Sequence, residues 1–117
     1  MGAPRLNEWG LAGEWTIDKE HARLSVANGT VVYRFHARDL HLVFGPGVDG
    51  KPVRFPVTLG ETAPGNDHGV DITAAGEGVI VEQRLYQLVR QQGAVAERTF
   101  KIRFLNPGVE VFAFTFG

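Results

Sequence analysis

The sequence contains no cysteine, and Ser25 is its only serine. The missing thiols exclude disulfide bonds, thiolate-bound zinc and thiol redox chemistry by this chain. A single serine, in a sequence without a G-x-S-x-G or H-E-x-x-H motif, provides no recognisable hydrolase nucleophile. The lack of cysteine does not identify a compartment, because a cysteine-free domain is stable in either redox environment.

Long apolar runs and an excess of one charge are also missing. No run approaches the roughly 20 apolar residues of a membrane-spanning helix, so no span is predicted in this chain. Twelve Lys and Arg balance thirteen Asp and Glu, and the net charge of -1 predicts no general attraction to nucleic acid. The first ten residues, MGAPRLNEWG, resemble no signal peptide, so an exported protein would contain this chain as a fragment.

The sequence does contain a nearly continuous series of short apolar patterns with a period of two. Its 117 residues match the size of one domain. We predict that residues 1–12 are a leading linker and that residues 13–117 form a single domain. The alternation predicts about eight strands separated by Gly and Pro turns, and no helix. The expected fold class is therefore all-β, as an antiparallel sandwich or barrel.

The densest β pattern is the stretch 30–46, TVVYRFHARDLHLVFGP. Alternation assigns one buried face to two strands: Val31, Tyr33 and Phe35, followed by Leu40, Leu42 and Phe44. The preceding Asn28-Gly29 pair predicts a hairpin turn, because both residues tolerate positive φ. The breaker-rich residues 45–52 predict a second hairpin loop.

Three other segments carry more specific expectations. Residues 79–90, VIVEQRLYQLVR, fit a helical face or a strand, and we predict one strand that is kinked or bulged near Gln83-Arg84. Residues 70–72 are expected to form a short strand after the polar loop at 60–69. Pro56 has no N–H for a ladder, so its strand is predicted to be an edge strand or to contain a bulge.

Histidines and aspartates in or near loops are the first candidates for chemistry: His36, His41, Asp49, Asp67, His68 and Asp71. Their spacing matches no zinc motif and no dense calcium loop, and turn chemistry explains the aspartates equally well. Glu82 paired in space with Glu97 or Glu110 is the remaining route to acid–base catalysis, against the more common interpretation as solvated carboxylates. We predict no metal, no cofactor and no catalytic residue.

A polar face shared by several strands is the more informative candidate. If the strands lie in one sheet, a basic and partly aromatic surface forms from Arg34, His36, Arg54, Arg84, Tyr86, Lys101 and Arg103. Such a face binds sugars through aromatic rings and hydrogen-bonding forks, or an acidic partner through charge. The alternative is a solvated outer face with cross-strand ion pairs. As candidate ligand-binding residues we select Tyr33, Arg34, His36, Arg84 and Tyr86.

Five blocks also carry a family resemblance: LNEWGLAGEWTID (6–18), VVYRFHARDLHLVFGP (31–46), PVRFPVTLGETAPGNDHGVD (52–71), RLYQLVRQ (84–91) and FLNPGVEVFAFTFG (104–117). Through them the chain resembles the C-terminal domain of DipZ-type proteins. These bacterial proteins join a cytochrome-c-biogenesis-like membrane part to an exported thioredoxin-like domain and a final β-sandwich. The resemblance implies a jelly-roll sandwich similar to a carbohydrate-binding module, on the extracytoplasmic side of the membrane.

Two functional hypotheses follow from this resemblance. The first is a non-catalytic accessory domain of a thiol-disulfide exchange protein, whose C-x-x-C pair belongs to the neighbouring thioredoxin-like domain. It would bind a carbohydrate or peptide through the polar face, or pack on that neighbour and shape access to its active site, and the candidate interface residues are Trp9 and Leu11. The second is a structural spacer or dimerisation domain without a ligand. An enzyme in its own right is the least favoured alternative, since no catalytic motif is present.

Overall fold

The computed structural model describes residues 6, 8–17, 21–47 and 49–116. They contain the strands β1 (Trp9–Ala12), β2 (Trp15–Ile17), β3 (Ala22–Leu24), β4 (Gly29–His36), β5 (Asp39–Gly45), β6 (Val53–Leu59), β7 (Glu77–Ile80), β8 (Arg84–Arg90), β9 (Glu97–Phe104) and β10 (Glu110–Phe116). A 3₁₀ turn at Gly65–Asp67 lies between β6 and β7. Over these residues, no helix has the length and apolar character needed to cross a membrane.

The strands form two five-stranded sheets in which every paired strand is antiparallel. Sheet 1 has the order β1-β4-β9-β6-β7, and sheet 2 has the order β2-β3-β10-β5-β8. Their inner faces enclose one apolar core, because alternate residues of the long strands point between the sheets. The predicted all-β antiparallel sandwich is confirmed, with ten described strands where the alternation predicted about eight.

Aromatic rings from both sheets meet at the centre of the core. Phe44 of β5 lies 4.6 Å from the ring of Tyr86 in the same sheet, measured between ring centroids. It also lies 5.5 Å from Phe55 and 5.9 Å from Phe104, which belong to sheet 1. Both of these contacts are edge-on, a favoured geometry for aromatic pairs. Phe44 therefore joins the two layers, as its inward position in the sequence pattern predicted.

The tight turns mostly carry the chain from one sheet to the other, which corrects both predicted hairpins. Asn28 has the expected positive φ of 69°. However, the turn joins β3 of sheet 2 to β4 of sheet 1, and the chain likewise passes from β5 of sheet 2 to β6 of sheet 1. Alternation and turn chemistry specify a buried face and a reversal, and an inter-sheet connection satisfies both without pairing the two strands.

The prediction of a single strand over residues 79–90 is wrong, because the segment contains the end of β7 and all of β8. β7 pairs with β6 in sheet 1, β8 pairs with β5 in sheet 2, and residues 81–83 cross between the sheets beside the predicted kink. The prediction that the strand containing Pro56 is an edge strand is also wrong, because β6 lies between β9 and β7. Pro56 is tolerated where β6 changes partner, from β7 at residues 53–56 to β9 at residues 57–59.

The long polar loop covers the free edge of β8. The Gly69 N–H donates to the Leu88 carbonyl at 2.9 Å, and the Asp71 N–H donates to the Gln87 carbonyl at 3.1 Å. Residues 70–72 form a turn rather than the expected strand. An exposed edge strand offers unpaired backbone groups to other chains, and this loop satisfies several of them within the domain.

Gln91 is a buried polar residue that the sequence pattern did not identify. Only 3% of the residue is exposed. Its side-chain amide donates to the carbonyls of Ala37 and Ala96, each at 3.0 Å, and its Oε1 accepts from the Ala96 N–H at 3.4 Å. Gln91 thus holds two neighbouring loops together at one end of the sandwich, where the Gln91-Gln92-Gly93 sequence predicted only a strand end.

Candidate functional site

The five residues predicted to form one ligand-binding face are divided between the two sheets. Arg34 and His36 lie on β4 of sheet 1, whereas Arg84 and Tyr86 lie on β8, at the edge of sheet 2. Tyr33 alternates with Arg34 and points into the core. The prediction of a single face is therefore wrong. Alternation assigns a residue to one side of its own strand but does not indicate which sheet that strand joins.

Both tyrosines of the predicted face are buried. Tyr33 is the register partner of Phe100, and burial raises the pKa of its phenol. The Tyr86 hydroxyl donates to the Glu82 carbonyl at 2.7 Å, while its ring packs against Phe44. A sugar-binding platform needs an accessible ring face, so neither tyrosine provides one in this structure.

Arg84 on β8 and Asp71 in the loop that covers the free edge of β8 form a contact between the two segments. We call this loop the covering loop. The Arg84 guanidinium lies 3.8 Å from the centroid of the Tyr86 ring and donates to Asp71 Oδ1 at 2.8 Å. A second guanidinium nitrogen donates to the Leu85 carbonyl at 2.8 Å. On the loop side, Asp71 Oδ2 accepts from the Gln87 N–H at 2.7 Å. These contacts hold the loop against β8, and they occupy hydrogen-bond donors of Arg84 that a ligand would otherwise use.

The charge state of Asp71 reflects a balance between burial and these partners. Burial raises the pKa of Asp71, but the hydrogen bonds from Arg84 and the Gln87 N–H act against it. The positive charge of Arg84 also opposes the effect of burial, and the net result is a pKa of Asp71 below the ordinary value. The Asp71 hydrogen bond in turn raises the pKa of Arg84, so both groups are charged at neutral pH.

The lowered pKa of Asp71 predicts a loss of stability in acid. Its contribution is complete above the pKa of the unfolded chain and is lost as the pH falls through the lowered folded-state pKa. At pH 7, Asp71→Asn should lower the free energy of unfolding by about 1–2 kcal/mol through weakened charged hydrogen bonds. Urea unfolding at several pH values should show this difference shrinking in acid. Glu61→Gln, at an exposed position near the start of the same loop, is the control, and a pH-independent difference would contradict the prediction.

The part of the predicted face on sheet 1 contains a cross-strand ion pair. Arg34 Nε donates to Glu97 Oε2 at 2.7 Å, and Arg34 Nη1 donates to Thr99 Oγ1 at 2.6 Å. His36 is exposed and is the register partner of Glu97. This arrangement agrees with the alternative interpretation of a solvated face with paired charges.

The three glutamates considered for acid–base catalysis lie at separate places, each beside a basic group. Glu97 pairs with Arg34 on sheet 1. Glu82 lies 3.7 Å from Arg84 after β7. Glu110 begins β10 and lies 3.2 Å from both Arg23 and His21. Among the described residues, no group of three His, Asp or Glu side chains converges in a way that could hold a metal ion.

Sheet 1 does bring together the other basic residues of the predicted face. Lys101 and Arg103 are exposed on β9, and Arg54 is exposed on the neighbouring β6. We call these three residues the basic surface. Since the adjacent Phe100, Ile102 and Phe104 are fully buried, Lys101 and Arg103 project from the outer face of the sheet. No carboxylate of the described residues forms an ion pair with the basic surface.

The two predicted interface residues behave differently. Both belong to β1, which pairs with β4 along its whole length and forms one edge of sheet 1. Leu11 packs against the domain's own core. Trp9 remains 55% exposed, and Leu6 nearby is also exposed. β1 thus adds a paired strand within the predicted linker, and it leaves an apolar ring at the edge of the sandwich.

Comparison with known proteins yields one family match and several structural neighbours. The family model described as "Thioredoxin like C-terminal domain" matches residues 1–117. A search of curated proteins finds no match. Among solved structures, a family two carbohydrate esterase from Clostridium thermocellum in complex with cellohexaose aligns with a TM-score of 0.68 and 13% identity. The alignment covers 92% of this chain but 31% of the esterase chain.

A second structural neighbour matches the chain over its full length. CsCBM6-3 from Clostridium stercorarium, in complex with cellobiose, aligns with a TM-score of 0.57 and 12% identity, covering 100% of this chain and 98% of its own. At such low identity the likeness concerns the fold alone. The expected jelly-roll sandwich similar to a carbohydrate-binding module is confirmed at that level.

Proposed function

The chain belongs to the family of thioredoxin-like C-terminal domains, and from this premise we propose that it is the non-catalytic accessory domain of an exported, DipZ-type thiol-disulfide exchange protein. The chemistry of exchange would belong to a thioredoxin-like domain of the same parent, because this chain has no cysteine. In this proposal the sandwich lies on the extracytoplasmic side of the membrane. It docks on the thioredoxin-like domain and shapes access to that domain's active site.

The exposed Trp9 ring is the observation that supports docking most directly. A tryptophan side chain offers a large area for burial, and tryptophan is enriched among the residues that dominate protein interfaces. Trp9 lies on a short edge strand whose other members, including Leu11, are anchored to this domain. A partner that covers Trp9 would therefore gain apolar burial on a backbone that is already ordered, with little additional entropic cost.

Docking is tested in a protein that joins the thioredoxin-like domain of the same parent to this chain. We expect the β1 amides to exchange hydrogen more slowly in the joined protein than in the isolated domain. In the joined protein, Trp9→Ala should raise the exchange rate of these amides about tenfold. Val70→Ala, at a similarly exposed apolar position in the loop beside β8, is the matched control and should leave β1 protection unchanged. Equal exchange of β1 with and without the neighbour would contradict docking.

Carbohydrate binding is a second proposed function, favoured by the fold shared with two proteins solved in complex with cello-oligosaccharides. Titration of the domain with cell-wall and plant oligosaccharides, followed by NMR, is the direct test. Chemical-shift changes confined to one sheet face would support it. A flat response to the whole panel would reject it and would favour the spacer or dimerisation alternative, whose separate test is the oligomeric state in solution.

A further inference from the structure

We propose that the basic surface of sheet 1 binds a polysaccharide that carries carboxylate groups. The inference rests on the carbohydrate-binding function proposed above and specifies the chemical class of the polymer. The guanidinium groups of Arg54 and Arg103 and the ammonium group of Lys101 would contact the carboxylates. Hydroxyl groups on the sugars would meet the short polar side chains between these cations.

The positions of the three cations follow from the strand register. Lys101 and Arg103 are two residues apart on β9, so their Cα atoms are separated by about 7 Å along the strand. Arg54 of β6 accepts a backbone hydrogen bond from Leu105 at 2.8 Å. It is therefore diagonal to Arg103 on the same outer face, again at a separation of about 7–8 Å. The basic surface forms a bent row across two neighbouring strands.

The residues of the basic surface differ from the other described arginines because they form no ion pair with a carboxylate of the described residues. Ion pairs with carboxylates engage six arginines elsewhere: Arg23, Arg34, Arg38, Arg84, Arg90 and Arg98. Within the described residues, Arg54 and Arg103 form no such pair, and neither does Lys101 between them. Glu77 is the acidic residue at the rim of this area, as the register partner of Pro56. Three neighbouring like charges repel one another, and an anionic ligand would relieve that repulsion.

The surroundings of these cations favour a sugar polymer over a folded protein. Thr30 is the register partner of Arg103, and Val32 and Thr58 flank Lys101. None of these neighbours is aromatic, so a sugar here would be held by charged and hydroxyl contacts rather than by ring stacking. Protein interfaces usually depend on aromatic anchors as well as arginines, and these neighbours provide no aromatic side chain. A chain of sugars needs hydroxyl and cationic groups along a surface, and arginine binds carboxylates through two parallel hydrogen bonds.

The test uses oligomers of polygalacturonate as the probe and follows binding by NMR and calorimetry at low and high salt. We expect affinity to fall steeply with salt, because the contacts are exposed charges. The double variant Lys101→Gln/Arg103→Gln should weaken binding by about tenfold or more. Arg38→Gln/Arg90→Gln removes the same charge from exposed positions at the end of sheet 2 and serves as the matched control, with an expected change below about twofold.

Several outcomes would overturn the inference. Equal weakening by the two double variants would show that only the net charge matters. Tighter binding of polyglutamate or duplex DNA than of polygalacturonate would identify an acidic protein or a nucleic acid as the ligand class instead. If neutral cellohexaose perturbs one face while polygalacturonate does not bind, the inference fails and carbohydrate binding stands. If neither sugar binds, both proposals fail.

Discussion

Phe44→Ala is expected to lower the free energy of unfolding by about 3–5 kcal/mol, the largest effect of any substitution considered for this domain. The Phe44 side chain is fully buried and contacts aromatic rings of both sheets. Its removal loses the transfer free energy of the ring and leaves a cavity between two layers that are held apart by their other side chains. Urea denaturation followed by circular dichroism measures the change.

Leu85→Ala provides the comparison that isolates burial. Leu85 lies on the neighbouring strand β8 with 39% of the residue exposed, so its truncation should cost about 0.5 kcal/mol or less. Phe44→Leu should fall between the two, because it retains part of the buried volume. If Phe44→Ala and Leu85→Ala had the same effect, the central aromatic contacts would not stabilise the sandwich as the structure indicates.

The buried face of each long strand could be predicted because that information is local. Successive side chains of a strand point to opposite sides, so an apolar residue at every second position identifies the inner face. Phe35 and Leu42 were assigned inward in this way, and both are buried. The same reasoning placed Lys101 and Arg103 on a polar face, and both are exposed. Alternation therefore predicted which of these side chains form the core and which are exposed.

Strand pairing could not be predicted, because it depends on contacts distant in sequence. Asn28-Gly29 favours a tight reversal, and the structure contains one. A reversal can close a hairpin or lead across the core, and the choice is determined by which other strands compete for each edge. Here β9 and β1 pair with β4, while β2 and β10 pair with β3. The sequence gives no local signal of this competition.

The candidate site was affected by the same limitation. The predicted face required β4 and β8 to belong to one sheet, and their assignment to different sheets separates Arg34 from Arg84. The carboxylate partner of Arg84 also comes from a loop, through Asp71. Loop contacts of this kind follow no period and could not be predicted from strand patterns. The basic surface was partly predictable, because alternation placed Arg54, Lys101 and Arg103 on polar faces, although it did not show that their strands share one sheet.

Gly69→Ala should lower the free energy of unfolding by about 3 kcal/mol by detaching the covering loop from β8. A Cβ atom at this position would lie 2.2 Å from the Gln87 carbonyl oxygen and 2.8 Å from the Leu88 carbonyl carbon. Both are backbone atoms and cannot rotate away, so the loop has to move. Its movement would break the Gly69–Leu88 hydrogen bond and pull Asp71 from Arg84. Urea unfolding and hydrogen exchange of the β8 amides measure these effects.

Gly93→Ala is the matched control, because a Cβ atom there would meet nothing within 4 Å. It should leave stability unchanged or raise it slightly, since alanine restricts the unfolded chain more than glycine does. Faster exchange of the β8 amides in Gly69→Ala alone would identify the exposed edge as the cause, and this variant should then aggregate more readily through that edge. Equal stability of the two variants would mean that the loop does not pack closely on β8.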